Sequence, residues 1–145
     1  MKQQRVSSGQ SLVEFALVFP ILFLLVTGFF DLGRAVFNYS SLSNSVREAT
    51  RYAIVHKETI NDVAENDGYL LLQQKVEEFS FGLDASDITI AVVVEMDEND
   101  RRESVSITAT YMFTPITPGI KQIFGAKTGI PITTQSTMRI AGIAR

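Results

Sequence analysis

The pattern of apolar and polar residues divides the chain into an apolar segment, an amphipathic segment and a strand-rich remainder. From Leu12 to Phe30 the only charged residue is Glu14, and about 20 such residues suffice to cross the ~30 Å hydrocarbon layer of a membrane. Beyond Phe30 apolar residues recur every three or four positions, which is typical of a helix with one buried face. That predicted face consists of Leu32, Ala35, Val36, Tyr39, Leu42, Val46, Ala49 and Ala53. The two segments together predict one helix from about Leu12 to Val55, roughly 65 Å long at 1.5 Å per residue.

The polar residues of the second segment are predicted to lie on the other faces of this helix. They are Asp31, Arg34, Asn38, Ser41, Ser45 and Glu48. The helix therefore leaves the membrane as a stalk that packs on the rest of the protein through its apolar face.

The remainder of the chain predicts a short helix and a small sheet. A helix over Tyr69 to Phe81 is expected to face inward through Leu70, Leu71, Val76 and Phe79. Alternating residues then predict a hairpin, with Ile88, Ile90, Val92, Val94 and Met96 inward on one strand and Val105, Ile107, Ala109, Tyr111 and Phe113 inward on the other. Ser104, Ser106, Thr108 and Thr110 are expected to point outward. With a third strand over about Ile132 to Ile140, the fold class is α+β, a long N-terminal transmembrane and stalk helix followed by a short helix and a three-stranded antiparallel sheet packed on the stalk.

Charge adds an orientation to this picture. Lys2 and Arg5 precede the apolar segment, and positive residues tend to remain on the cytoplasmic side of a membrane span. The N-terminus is therefore expected in the cytoplasm and the C-terminal domain outside it. The predicted organisation is a leader over residues 1–9, a transmembrane helix over 10–30, a helical stalk over 31–56 and an extracytoplasmic α+β domain over 57–145.

Composition argues against several classes of function. The 145 residues carry a formal net charge of −3, no Cys and one His, so disulfides and Cys-based zinc sites are excluded and a nucleic-acid partner is not expected. The turn from Asp97 to Asp100 is acidic, but it lacks the Gly and the distal Glu of an EF-hand loop, and a solvated hairpin tip is the preferred interpretation over a weak Ca²⁺ site. The sequence contains no recognisable pair of nucleophile and base, phosphate loop or HExxH motif. We expect no enzyme activity, no metal site and no cofactor.

Three small residues, Ser7, Ser8 and Gly9, directly precede the apolar segment. In a cleaved secretory signal the small residues of the cleavage site follow the apolar core instead. A cut after Gly9 would make Gln10 the first residue of the mature chain and Glu14 the fifth, and would leave the whole apolar helix on the protein. A carboxylate in lipid is costly unless it has a cationic partner, and cleavage creates a new α-amine. Pro20, inside the apolar segment, is expected to kink the helix.

This leader resembles those of type IV prepilins and pseudopilins. The resemblance implies cleavage between Gly9 and Gln10 by a membrane prepilin peptidase. It also implies that Glu14 pairs with the N-terminal amine of the same or a neighbouring subunit.

The resemblance becomes more specific with residues from both ends of the chain. The start is similar to TadE-like pilus assembly proteins in residues 10–20, Gly28, Asp31, Gly33 and Arg34, and the end is similar to them in residues 111–118 and 132–139. The resemblance implies a minor pseudopilin that assists assembly, priming or stabilisation of a tight-adherence (Flp-type) pilus. The implied partners are prepilin peptidase, other pilins and pseudopilins, the inner-membrane assembly platform and membrane lipid. The implied location is the cytoplasmic (inner) membrane, with the pilus itself as the alternative. The sequence does not separate a TadE-like from a TadG-like role, although the larger size usual for TadG-like members favours the former.

Two alternatives remain open at this point. An uncut single-pass anchor would have Glu14 at the headgroup boundary and would bind an envelope partner through its sheet. A domain released by signal peptidase near Gly28 would lack most of the apolar helix, and this alternative leaves Glu14 unexplained.

Overall fold

One long helix organises the molecule. The computed structural model describes residues 8–56, 59, 67–96, 98, 102–125 and 129–140. Helix α1 (Ser8–Val55) is continuous through both the apolar and the amphipathic segments, as the sequence predicts, and its 48 residues span about 72 Å at 1.5 Å per residue. It ends where His56 donates its backbone N–H to Tyr52 O at 2.9 Å.

The C-terminal elements follow in the predicted order. They are α2 (Asp67–Phe79), a 3₁₀ turn (Ala85–Asp87), β1 (Ile88–Met96), β2 (Arg102–Phe113), the one-turn helix α3 (Ile120–Ile123) and β3 (Ile130–Arg139). The strands of the described chain form an antiparallel sheet in the order β1-β2-β3. The predicted α+β fold with three antiparallel strands is therefore confirmed.

The hydrophobic core lies between the second half of α1, α2 and one face of the sheet. The central strand β2 contributes every second residue from Val105 to Phe113, as the alternation predicts. Its partners from the rest of the described chain are Leu42, Val46, Ala49, Ala53, Leu72, Val76, Ile88, Ile90 and Ile140. The first half of α1 takes no part in this core, since each side chain from Gly9 to Val26 is exposed.

The predicted inward face of the stalk is wrong near the apolar segment. Leu32, Val36 and Tyr39 remain 61, 59 and 51% exposed, whereas Asp31 and Asn38, which we expected on other faces, are buried. Farther along, Leu42 and Val46 are buried as predicted, but Ser45 is buried beside them. This part of the helix carries apolar and polar residues on more than one face. Which face becomes buried therefore depends on the elements that pack against it.

The predicted inward face of α2 is also wrong in part. Leu72 and Val76 are fully buried, while Leu70 and Phe79 are 48 and 44% exposed. The hydroxyl of Ser80, just after α2, donates to Ser45 Oγ at 3.0 Å. This bond joins α2 to α1 and supplies a partner for a polar group that is fully buried in the core.

Three sheet positions differ in burial from the prediction. Ser104 and Ser106 lie on the outer face of the sheet, opposite Val105 and Ile107, as predicted, but they are buried because side chains of the neighbouring strands cover them. Ser106 Oγ accepts from Gln135 Nε2 at 2.6 Å, and Ser104 Oγ donates to Glu95 Oε2 at 2.7 Å. Met96 was expected to face inward but is half exposed, since the register of β1 shifts between Glu95 and Met96.

Some predictions fall on residues that the structure does not describe. They include the basic leader residues Lys2 and Arg5 and most of the acidic hairpin tip between Asp97 and Asp100. The boundary between the predicted stalk and the predicted C-terminal domain also lies next to such residues.

Candidate functional site

The predicted processing site lies at the very start of α1. The helix begins at Ser8, and Gly9 and Gln10 are exposed within its first turn. A Cβ added to Gly9 would meet no atom within 4 Å, so packing within this chain does not require a glycine there.

Gln10 and Glu14 lie on the same face of α1. The side-chain amide of Gln10 donates from Nε2 to Glu14 Oε1 at 3.2 Å, because residues four apart in a helix are neighbours. Glu14 is exposed on the helix surface, which leaves its carboxylate accessible to a group outside this chain. The geometry therefore brings the predicted first residue of the mature chain and the predicted pairing carboxylate within one helical turn.

Around these residues α1 has the properties of a membrane span. The helix contains an 18-residue window with mean hydropathy 2.4 and with none of its residues buried inside the protein. Phe15, Leu17 and Phe23 are 64, 69 and 51% exposed. Such a surface is consistent with a single-pass membrane anchor. Pro20 lies within this stretch without ending the helix, and its predicted kink stays a prediction.

A second polar site lies where the apolar segment ends. Asp31 is only 4% exposed, and its two carboxylate oxygens accept backbone N–H groups from the connection between β2 and β3. Ile116 N donates to Oδ1 at 3.0 Å and Thr117 N donates to Oδ2 at 2.7 Å. This carboxylate thus holds the connection directly against α1.

Arg34 completes the Asp31 site. Its Nη1 lies 3.0 Å from Asp31 Oδ1, and its guanidinium lies 5.2 Å from the centre of the Phe113 ring, a distance at which a cation is attracted to the ring face. Burial acts to raise the pKa of Asp31, but the two backbone N–H groups and Arg34 outweigh it and lower that pKa below its ordinary value. Asp31 is therefore held as a charged carboxylate with charge-assisted hydrogen bonds.

Sequence reasoning did not identify Asp31 as a structural contact. The spacing of Asp31 and Arg34, three residues apart directly after the apolar segment, was the available signal. Their partners, Ile116 and Thr117, are 85 and 86 positions away and contribute backbone N–H groups, which every residue type except proline carries. No side-chain pattern marks such a partner.

Comparison of the chain with curated proteins gave no match, and comparison with solved structures also gave none. A match was found among protein families, over the segment that includes Gly9, Gln10, Glu14, Asp31 and Arg34. It covers most of α1 and stops before α2, so the similarity of the C-terminal segments to the same family stays a prediction. Residues 9–51 of this chain match the family model described as TadE-like protein, which confirms the resemblance carried by the N-terminal part of the sequence.

Proposed function

We propose that this protein is a minor pseudopilin that, after leader cleavage following Gly9, assists assembly, priming or stabilisation of a tight-adherence (Flp-type) pilus. The family match associates the chain with this type of pilus. The observation that carries the proposal is the division of α1, whose first half exposes apolar side chains all round while its second half is packed on the sheet. One half is available to lipid and to other helices, and the other half carries a folded domain.

The proposed activity is helix bundling and involves no chemistry on a substrate. Within a bundle of similar helices, Glu14 would be a charged group in an apolar surrounding and would require a cationic partner. The α-amine that cleavage creates at Gln10 supplies that charge, and the same-face arrangement of residues 10 and 14 supports an amine close to this carboxylate. Pairing of this kind between neighbouring subunits would set the stagger of the bundled helices.

The proposed partners and location follow from this role. The mature protein lies in the cytoplasmic (inner) membrane with its sheet domain on the extracytoplasmic side. It interacts with prepilin peptidase during processing, and with pilins, pseudopilins and the inner-membrane assembly platform afterwards.

The N-terminus of the protein recovered from membranes tests the proposal. We expect intact mass and N-terminal sequencing to give a start at Gln10 when an active prepilin peptidase is present and at Met1 when it is absent. Gly9→Leu should abolish this processing. Gly33→Leu is the matched control, since a Cβ at either glycine meets no atom within 4 Å, and it should be processed normally.

Other N-termini would overturn the proposal. A start at Met1 with active peptidase would leave an uncut single-pass anchor whose sheet binds an envelope partner. A start beyond Gly28 would indicate release by signal peptidase.

A further inference from the structure

The connection between β2 and β3 leaves three large apolar side chains exposed. Ile116, Ile123 and Phe124 are 69, 81 and 69% exposed, although they fall within nine residues of one another. Large apolar side chains grouped on a protein surface mark a site of contact with another protein or with a membrane.

The position of this connection along α1 is defined by Asp31. Ile116 N and Thr117 N both donate to its carboxylate, and Asp31 directly follows Phe30, the last residue of the apolar segment. The connection is therefore held at the level where α1 leaves the hydrocarbon layer.

An apolar groove lies beside Asp31, between α1 and the β2–β3 connection. It has a volume of about 260 Å³ and is lined by Gly28 and Leu32 of α1 on one side and by Ile120 and Phe124 on the other. Gly28 belongs to the membrane-spanning part of α1 and lies three residues before Asp31, which is about 4.5 Å along the helix axis. Apolar side chains of membrane-surface elements enter the lipid by about 5–10 Å, so Phe124 lies at a suitable depth.

We propose that residues 114–125 of the β2–β3 connection enter the lipid leaflet on the domain's side of the membrane, where Ile116, Ile123 and Phe124 contact acyl chains and a lipid chain occupies the groove. The occupant is lipid because the exposed surface is continuous with the lipid-facing end of α1, where Phe29 and Phe30 are 72 and 70% exposed. Lys121 lies in α3 together with Ile123, and its cationic side chain suits the headgroup region of the membrane.

This second contact would hold the domain at a fixed tilt to the membrane, which a single helix cannot do. The inference depends on the membrane span of α1. It is independent of leader cleavage and of entry into a pilus, so the failure of one proposal would leave the other standing.

Site-specific fluorescence in a membrane tests the inference. The chain has no Cys, so a single introduced cysteine can carry an environment-sensitive nitrobenzoxadiazole label. The full chain is reconstituted at one copy per lipid nanodisc, with lipids that carry a nitroxide quencher near the top of the acyl chain. The test variants are Phe124→Cys and Ile123→Cys, both at exposed positions where a substitution leaves the core intact, and Phe30→Cys is the positive control.

Phe81→Cys is the matched negative control. Phe81 is 80% exposed, and its backbone oxygen accepts from Ser41 Oγ at 2.8 Å. Ser41 lies ten residues beyond Asp31, so this aromatic residue is about 15 Å farther along the helix axis from the membrane.

We expect labels at positions 123 and 124 to show a blue-shifted emission and quenching like the label at position 30, and the label at position 81 to show neither. Adding Asp31→Ala to Phe124→Cys should reduce the quenching, because the connection loses its anchor on α1. Equal emission and quenching at positions 124 and 81, with position 30 quenched, would overturn the inference. A blue-shifted emission of the label at position 124 that is seen only in vesicles with many copies of the protein, and not in single-copy nanodiscs, would also overturn the inference. The surface would then bind a second copy of the chain.

Discussion

Asp31 Oδ2 accepts the backbone N–H of Thr117 at 2.7 Å, although the two residues are 86 positions apart in the chain. With the neighbouring bond from Ile116 N to Oδ1 at 3.0 Å, this contact joins the end of the apolar segment to the connection between β2 and β3. The buried carboxylate therefore holds this connection against α1 at the end of the apolar segment.

Removal of this carboxylate should loosen the connection without unfolding the core. Asp31→Ala leaves two N–H groups without their charged acceptor, which we expect to cost about 2–3 kcal/mol in local stability. Hydrogen exchange on the full chain in detergent should show faster exchange at Ile116 and Thr117, with little change at the amides of β2. Asp87→Asn, at an exposed position, is the control and should leave both sets of amides unchanged. Unaltered exchange at Ile116 and Thr117 in Asp31→Ala would disprove the role of the contact.

The same carboxylate predicts a dependence of stability on pH. Because its pKa is lowered in the folded protein, Asp31 contributes stability that is complete above the ordinary Asp pKa of about 3.9 and is lost as the pH falls through the folded pKa. The thermal midpoint of the wild type should therefore exceed that of Asp31→Asn at neutral pH, and the difference should shrink below about pH 3.9. Circular dichroism melts of both proteins between neutral pH and acid measure this difference. A difference that stays constant through the acid range would contradict the prediction.

Two of the three leucines of α2, Leu70 and Leu72, provide a matched test of its packing. Leu72 is fully buried and Leu70 is 48% exposed. Leu72→Ala should lower the free energy of unfolding by about 2–5 kcal/mol, while Leu70→Ala should change it by about 0.5 kcal/mol or less. Denaturant unfolding of the full chain, monitored through hydrogen exchange at the β2 amides, measures the free energy of unfolding of both variants. Equal effects of the two substitutions would contradict packing of α2 through Leu72.

Glu14 should matter for association and not for folding. Glu14→Gln removes a charge that, under the proposed function, pairs with the amine of the mature N-terminus. We expect normal processing after Gly9 but association with other pilins that is weaker by at least about tenfold, or ~1.4 kcal/mol. Co-purification from membranes after crosslinking measures this loss.

The control for Glu14 is Glu48→Gln. Glu48 lies on the same helix, with its side chain 49% exposed and 3.4 Å from Arg51, and an exposed ion pair of this kind contributes little. Equal recovery of partner pilins with both variants would show that Glu14 has no role in pairing.

The sequence predicted the elements of this fold because each depends on local periodicity. A long apolar run and a three-to-four-residue repeat define α1, and strict alternation defines β2, with Val105, Ile107 and Ala109 on one face. These patterns depend on backbone geometry alone, so they hold regardless of what the element packs against. The motif around Gly9 and Glu14 is likewise contiguous, and it lies within the part of the chain that matches the TadE-like family.

The sequence was less informative about which face of each helix is covered. Leu32, Val36 and Tyr39 have the helical spacing of a buried face but are exposed, while Asp31 and Ser45 are buried. Burial of polar groups is tolerated here because each has a partner, Thr117 N for Asp31 and Ser80 Oγ for Ser45. These partners are far away in sequence, so local periodicity does not predict them.

The sequence alone therefore determined the long helix and the order of the strands, since contiguous residues define both, and a contiguous motif likewise carries the predicted processing site. Only the tertiary structure decided the position of the β2–β3 connection at the end of the apolar segment. That position depends on a carboxylate meeting backbone N–H groups, which carry no side-chain signature, and it becomes defined only when α1 and the sheet pack together.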